Sequence, residues 1–423
     1  MQQVDSVEAY TEYLRALGGW PQGFRGFTQT LSFVPPERNS SKPFNMNLAA
    51  ILPDQPITAF SAVFTRNAFP GAPVRVGRRI ASGPATAGIL VNNKISNVCS
   101  PSGEQDIATL QEVLAAETGR LADQFFCIST GIIGWQLPAQ QMAETIPSLL
   151  RSPAEPADVA AAIMTTDRYP KLRVWQADGG SIVGLAKGAG MIEPNMATML
   201  VFLLTDFNVS RDVCGRALRD AVENSFNRIS VDSDQSTSDS ALLLSSQAGP
   251  QISEQDFSAG LQEVCSGLAD DIVRNGEGIH HVITVDVRGA ADKAQARACG
   301  KAVVNSPLVK TAVCGNDPNV GRIVAALGDY CGNAGIELDP CRVSIAVDGE
   351  RVFADGAFAL SPELEKRLSE RFQAVEIDPC CAFPQHQESV SIEIDLGLGQ
   401  EHDTVKGADL THEYIHENAD YRT

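Results

Sequence analysis

Within residues 1–105, Gly- and Pro-rich turns separate short apolar runs such as Leu48-Ala49-Ala50-Ile51-Leu52 and Ser61-Ala62-Val63-Phe64. The β-branched and aromatic content of these runs predicts strands. The pattern then changes: Ile107, Leu110, Val113, Leu114 and Leu121 fall near helical spacing, which predicts one surface helix over 107–121. Further helices are predicted over 156–164, over 210–226 with Ser210 as N-cap, and over 253–274, where Ser253-Glu254-Gln255-Asp256 has capping-box form and Asn275-Gly276 supplies the stop. The run Met199-Leu200-Val201-Phe202-Leu203-Leu204 is far shorter than the ~20 residues a membrane helix needs, and it reads as a buried strand.

Beyond about residue 280 strands and helices interleave to the end. Residues 281–287 read as a strand, 291–303 as a helix, and 342–353 as a hairpin turning at Asp348-Gly349, a type I′ signature. Ser361-Pro362 opens a helix with Leu364, Leu368 and Phe372 on one face, and Val390, Ile392, Ile394 and Leu396 alternate as a half-buried strand. There is no internal repeat and no low-complexity linker, so the expected domains pack closely, with a boundary placed at 280/281. The fold class expected is α/β (α+β), a domain over 1–280 followed by a smaller α/β domain over 281–423.

Composition narrows the function. Lys+Arg 33 against Asp+Glu 52 gives a net charge of −19, which repels phosphate backbones and anionic headgroups and argues against nucleic acid or membrane as partner. Small molecules are the expected ligands. The opening Met1-Gln2-Gln3-Val4-Asp5-Ser6-Val7-Glu8 has no basic region followed by an apolar run, so neither a secretory signal nor a transit peptide is read there. Ten cysteines without a C-x-x-C pair fit reduced cytosolic thiols, and the adjacent Cys380 and Cys381 read as loop or core thiols rather than zinc ligands. A cytoplasmic protein without metal is therefore expected.

Several chemistries can be set aside. All six histidines lie after residue 279, and the zincin, hydrolase-elbow and P-loop motifs are absent. Gly188-Ala189-Gly190-Met191-Ile192-Glu193 begins like a dinucleotide fingerprint, but it lacks the third glycine and the residues before it do not read as a clean strand. The informative segment is 187–200, Lys187-Gly188-Ala189-Gly190-Met191-Ile192-Glu193-Pro194-Asn195-Met196-Ala197-Thr198-Met199-Leu200, a turn-rich loop running into the apolar strand. It sets the Thr198 hydroxyl at the mouth of that strand, either as a rigidly presented nucleophile or simply as a β-branched residue opening a strand.

This segment resembles the self-cleavage site of the ornithine acetyltransferase family, the bifunctional glutamate N-acetyltransferases, whose precursor breaks at an Ala-Thr bond. Other stretches resemble family segments in the same order. They include Ser129-Thr130-Gly131-Ile132-Ile133-Gly134, Met164-Thr165-Thr166-Asp167, Asp234-Gln235-Ser236-Thr237-Ser238-Asp239, Asn275-Gly276-Glu277-Gly278, Gly315-Asn316-Asp317-Pro318-Asn319 and the ending Asn418-Ala419-Asp420-Tyr421-Arg422-Thr423. They span about residue 62 to the C-terminus.

The resemblance implies a cofactor-free N-terminal-nucleophile enzyme with the family's layered sheets and helices, of the type shared with self-cleaving β-aminopeptidases. Cleavage between Ala197 and Thr198 would give chains 1–197 and 198–423, assembled as two of each. The freed α-amine, with a reference pKa of ~7.7–8.0, can act as base for its own hydroxyl without any histidine. Thr198 would take acetyl from N2-acetylornithine and pass it to glutamate in a ping-pong cycle. Thr130 and Gly131 match the family's oxyanion pair; Lys187, Glu277, Asn418 and Thr423 match substrate ligands, as does one of Thr165 and Thr166, with Thr165 favoured. Read without the resemblance, Thr130-Gly131 is a turn, Lys187 a solvated loop cation, Glu277 a helix-end carboxylate and Thr423 a frayed terminus.

The chain departs from the family at three places. Ile279-His280-His281 replaces the usual Ala-Thr-Lys after Gly278, Val320 replaces a tryptophan, and the region 23–52 carries Phe33-Val34-Pro35-Pro36-Glu37 in place of an Ala-Gly-Ile-Lys run. Such divergence resembles paralogues of specialised-metabolite clusters, so both arginine-type and specialised biosynthesis stay open. Two rival readings are an amidohydrolase or deacylase of the same nucleophile class acting on another N-acyl amino acid, and an uncleaved amino-acid-binding protein.

Overall fold

The computed structural model describes residues 6–38, 41–193, 199–378 and 385–419. Ala197, Thr198, Thr423 and the Cys380-Cys381 pair lie outside the described residues. The architecture is mixed α/β, with three sheets among the described residues. The first runs in the order Phe125–Ser129, Gly88–Asn92, Phe44–Pro53, Phe24–Phe33, Pro153–Ala154. The second runs Phe60–Phe64, Ser240–Ser245, Leu200–Thr205, Gly180–Lys187, Lys171–Ala177, and the third is a seven-stranded sheet centred on Val282–Ala290 and Val390–Asp395.

Strand Leu200–Thr205 is buried along its whole length because both its faces meet apolar layers. Leu200, Phe202 and Leu204 point into a core shared with the first sheet, whereas Val201 and Leu203 point into a second core, with helices Arg211–Glu223 and Glu254–Arg274. A strand covered on both sides reads as a continuous apolar run rather than an alternating one. Each such leucine or phenylalanine contributes about 1.5–3 kcal/mol by leaving water. A third core, formed by residues between Ile283 and Val405, fills the seven-stranded sheet and its helices.

The predicted caps are present. Ser210 accepts from Val213 N at 3.4 Å, and Ser253 from Asp256 N at 3.1 Å. The Asp256 carboxylate in turn takes the Ser253 hydroxyl at 2.6 Å. The hairpin turn has left-handed φ values of 47° at Asp348 and 79° at Gly349, as type I′ requires.

Four readings are corrected. The helix predicted over 107–121 is Gly103–Thr118: Gly119 ends it in the left-handed region, φ 70°, and Leu121 lies beyond it, 64% exposed. The helix predicted over 156–164 stops at Ala162, and the one predicted over 210–226 stops at Glu223, before a separate 3-10 turn at Phe226–Arg228. The residues before Gly188 do form a strand, Gly180–Lys187. Its glycines hid it from a β-propensity reading, but Gly184 is required by packing, since a Cβ there would lie 2.5 Å from Val264 Cγ1 and 2.8 Å from Leu268 Cδ1. No helix follows over residues 188–193, so the dinucleotide reading still fails. Among the described residues, no helix is long and apolar enough to cross a membrane.

Candidate active site

Strands Gly88–Asn92 and Phe125–Ser129 are parallel, so both hand their chains on at the same sheet edge. The two following loops are tied together there. Asn92 does much of this, accepting the Ser129 hydroxyl at 2.7 Å and donating to Ile95 O at 2.8 Å. Asn93 Nδ2 reaches Met164 O at 2.9 Å, joining residues 164–166 to the same place. Ile132 N donates to Lys94 O at 2.8 Å, and Ser96 N and Oγ both donate to Ile132 O, at 3.0 and 2.8 Å.

Gly131 sits in this lacing with φ 127°, and a Cβ there would lie 2.1 Å from the carbonyl carbon of Lys94. Only glycine fits. Thr130 is buried, and neither its hydroxyl nor the Gly131 N–H has a hydrogen-bond partner among the described residues. Two donors therefore stand side by side with no acceptor among the described residues.

The second sheet contributes from its own edge. Leu200 pairs with Lys187 on one side and Ser240 on the other, so Lys187, the start of the Leu200 strand and residues 236–239 stand in a row. Ser240 N donates to Met199 O at 2.9 Å. Glu277 follows the C-cap of helix Glu254–Arg274, and its N–H donates to Ala189 O at 3.1 Å. Its buried carboxylate lies so close over Gly190 that a Cβ there would approach Oε2 to 2.2 Å. Asn418, on the last helix His412–Ala419, donates from Nδ2 to Glu277 Oε2 at 2.8 Å.

These segments enclose one cleft of about 260 Å³. Thr130, Gly131, Thr165, Thr166, Lys187, Glu277 and Asn418 all line it, as do Met199 and Leu200 at the entry to the strand that follows Thr198. Every expected site residue within the described part of the chain is thus brought together. Thr165 and Thr166 both reach the wall, which leaves the register between them open.

Lys187 is not the solvated loop cation a lone reading suggests, and Glu277 is not an exposed helix end. Lys187 ends a strand and is half-buried, while Glu277 is only 6% exposed. The three family departures do not line this cleft. Ile279 and Val320 are buried. His281 lies in the interior with Nδ1 2.9 Å from Asp409 Oδ2 and Nε2 3.2 Å from Phe372 O. Phe33 packs edge-on against Phe44, and Glu37 accepts from Gln136 N.

One residue without an assigned role supports the site from behind. Asp167 Oδ1 lies 2.6 Å from Lys171 Nζ and accepts Gly188 N at 2.7 Å, while Oδ2 accepts Thr165 N at 3.1 Å. Burial alone would push this carboxyl up, but the charges of Lys171 and Lys187 and the hydrogen bonds it accepts outweigh that and hold it at about 2. Asp167 stood in the motif Met164-Thr165-Thr166-Asp167, and Lys171 lies only four positions on, but its contact with Gly188, 21 positions away, cannot be read from local spacing.

Known proteins resemble this chain over most of its length. Residues 38–423 match the ArgJ family. The chain is 40% identical over 401 residues to the arginine biosynthesis bifunctional protein ArgJ of Syntrophotalea carbinolica, covering 91% of this chain and 96% of that one. It is 36% identical over 379 residues to the glutamate N-acetyltransferase of Methanopyrus kandleri, covering 86% and 93%. Among solved structures, the arginine biosynthesis bifunctional protein argJ of Bacillus halodurans matches with 31% identity and a TM-score of 0.46, over 52% of this chain and 99% of that chain. On the extent of the family match and of the two sequence relatives, the chain belongs to the ArgJ family.

Proposed function

We propose that the protein is a self-processing acyltransferase that moves acetyl from N2-acetylornithine to glutamate through an acetyl ester on Thr198. The observation that carries this reading is the convergence of seven site residues, from five separated chain segments, on one cleft that also receives the strand entry following Thr198.

In the precursor, the Thr198 hydroxyl attacks the Ala197 carbonyl, the peptide nitrogen leaves as the Thr198 amine, and water hydrolyses the resulting ester. In turnover, the freed amine takes the proton of its own hydroxyl as Oγ1 attacks the acetyl carbonyl of the donor. The Thr130 hydroxyl and Gly131 N–H, unengaged among the described residues, donate to the oxyanion of the tetrahedral intermediate. Collapse expels the ornithine nitrogen, which recovers the proton from the Thr198 ammonium. The glutamate amine then attacks the acetyl ester and regenerates the hydroxyl.

Lys187 suits a substrate carboxylate, and Glu277, oriented by Asn418, suits a substrate ammonium. Thr165 or Thr166 supplies a further polar contact, and Thr423 is carried as a ligand on the resemblance alone. The chains 1–197 and 198–423 assemble as two of each and act in the cytoplasm on amino-acid substrates, and we keep 280/281 as the boundary between the catalytic and C-terminal domains.

The test is incubation with N2-acetylornithine, with and without glutamate. Release of ornithine matched by N-acetylglutamate, and dependent on glutamate, is expected. Glutamate-independent consumption with free acetate as product would overturn the transferase reading in favour of a hydrolase.

A further inference from the structure

The chain on either side of residues 194–198 is tied to one stretch, 231–240. Upstream, Val231 N donates to Ile192 O at 2.7 Å and Glu193 N donates to Asp234 O at 3.0 Å; downstream, Ser240 N donates to Met199 O at 2.9 Å. The bond between Ala197 and Thr198 falls, in sequence, between these anchors. Residues 236–239, which join the anchors on the other chain segment, line the cleft.

The upstream anchor depends on one side chain. Met191 has φ 55°, in the left-handed region, and a residue held there turns successive backbone N–H groups into a concavity that takes an anion. The Asp232 carboxylate fills it: Oδ2 accepts Met191 N at 2.6 Å and Oδ1 accepts Ile192 N at 2.7 Å. Tyr414, on the helix that carries Asn418, donates its hydroxyl to the same Oδ2 at 3.2 Å. The next residue is held as well, since Asn305 Nδ2 donates to Glu193 Oε2 at 2.8 Å. Two adjacent amide donors need two acceptor oxygens, and an ionised carboxylate supplies both, whereas a carboxamide supplies one and sets an NH2 donor against the other amide.

Self-processing, the reading on which this inference rests, forms a bond from Thr198 Oγ1 to the Ala197 carbonyl carbon as the peptide C–N bond breaks. The hydroxyl proton passes to the leaving nitrogen, and water then hydrolyses the ester. Such an attack needs its two atoms about 3–3.5 Å apart, and a misplacement of about 1 Å can cost about 10²-fold. We propose that Asp232 is a positioning residue for self-processing: by holding Met191 and Ile192 it fixes the upstream end of the segment that is cut.

The test is a pulse of labelled chain made by cell-free synthesis, followed over time on a denaturing gel, for the wild type, Asp232→Asn and Asp232→Ala. Melting temperatures of the uncut chains are compared in a Thr198→Ala background, and cutting is followed well below them. Cleavage should slow by about tenfold or more in Asp232→Asn, which keeps one acceptor, and further in Asp232→Ala, which keeps none. A variant that is merely less stable stays folded at that temperature and cuts at the wild-type rate. A folded Asp232→Asn that cuts within about twofold of wild type therefore overturns the assignment and leaves self-processing in place, whereas a wild type that never cuts overturns both.

Discussion

The carboxylate of Asp167 lies 2.6 Å from the ammonium of Lys171, both groups fully buried, and the same carboxylate accepts the N–H groups of Thr165 and Gly188. One side chain thereby fixes two walls of the cleft. Lys171 Nζ also donates to Asn275 Oδ1 at 3.0 Å, which reaches the helix end just before Glu277. Asp167→Asn keeps the shape but leaves a buried cation uncompensated, a change that costs about 3–5 kcal/mol. Chemical denaturation at neutral pH should show that loss, and a variant as stable as the wild type would remove Asp167 from this role.

The same group sets a pH dependence. Its folded pKa, about 2, lies below the ordinary 3.8, so the stability it contributes is complete above the ordinary value and is lost as pH falls through the folded one. The stability difference between wild type and Asp167→Asn should therefore be constant above about pH 4 and shrink toward about pH 2. A difference that stays flat through that window would contradict the assignment.

Gly131 is held by contact with Lys94 as well as by its φ of 127°. Gly131→Ala must push the two loops apart, displacing the amide donor. A drop of about 10²–10³ in kcat is expected, together with a lower melting temperature. Unchanged kcat in the alanine variant would show that this amide does not serve the oxyanion.

Thr130 separates chemistry from packing. Thr130→Ala removes the hydroxyl donor and should lower kcat by roughly 10²–10³, whereas Thr130→Ser keeps it and should recover most of that loss. If the serine and alanine variants are equally slow, the methyl group and not the hydroxyl matters.

Asn418 lines the cleft and also holds the Glu277 carboxylate. Asn418→Ala frees that carboxylate to turn, so KM should rise by about tenfold while kcat changes by less than about threefold, the signature of lost ground-state binding. A selective fall in kcat would place Asn418 in the chemical step instead.

Local chemistry made much of the fold legible. Ser210, Ser253 and Ser361 announced their helices, Asp348-Gly349 its turn, and the spacing of Leu364, Leu368 and Phe372 the buried face they form. The strand Gly180–Lys187 was not legible, because its glycines are chosen by residues later in the chain: a Cβ at Gly180 would meet Phe207, and one at Gly184 would meet Val264 and Leu268 of a helix more than sixty residues on. Lys171 is the extreme case: lysines are almost never fully buried unless paired, and one of its partners, Asn275, is 104 positions away. The site residues were found through a family pattern rather than through spacing, since Asn418 and Glu277 are 141 positions apart and nothing local to either marks the other.

An acetyl ester on Thr198 would show in the intact mass of the purified protein after exposure to N2-acetylornithine without acceptor. Two chains are expected, 1–197 and 198–423, with one acetyl group on the chain that begins at Thr198, discharged by added glutamate, and a single uncut, unacetylated chain for Thr198→Ala. An uncut wild-type chain, or acetyl transfer that persists in Thr198→Ala, would contradict it.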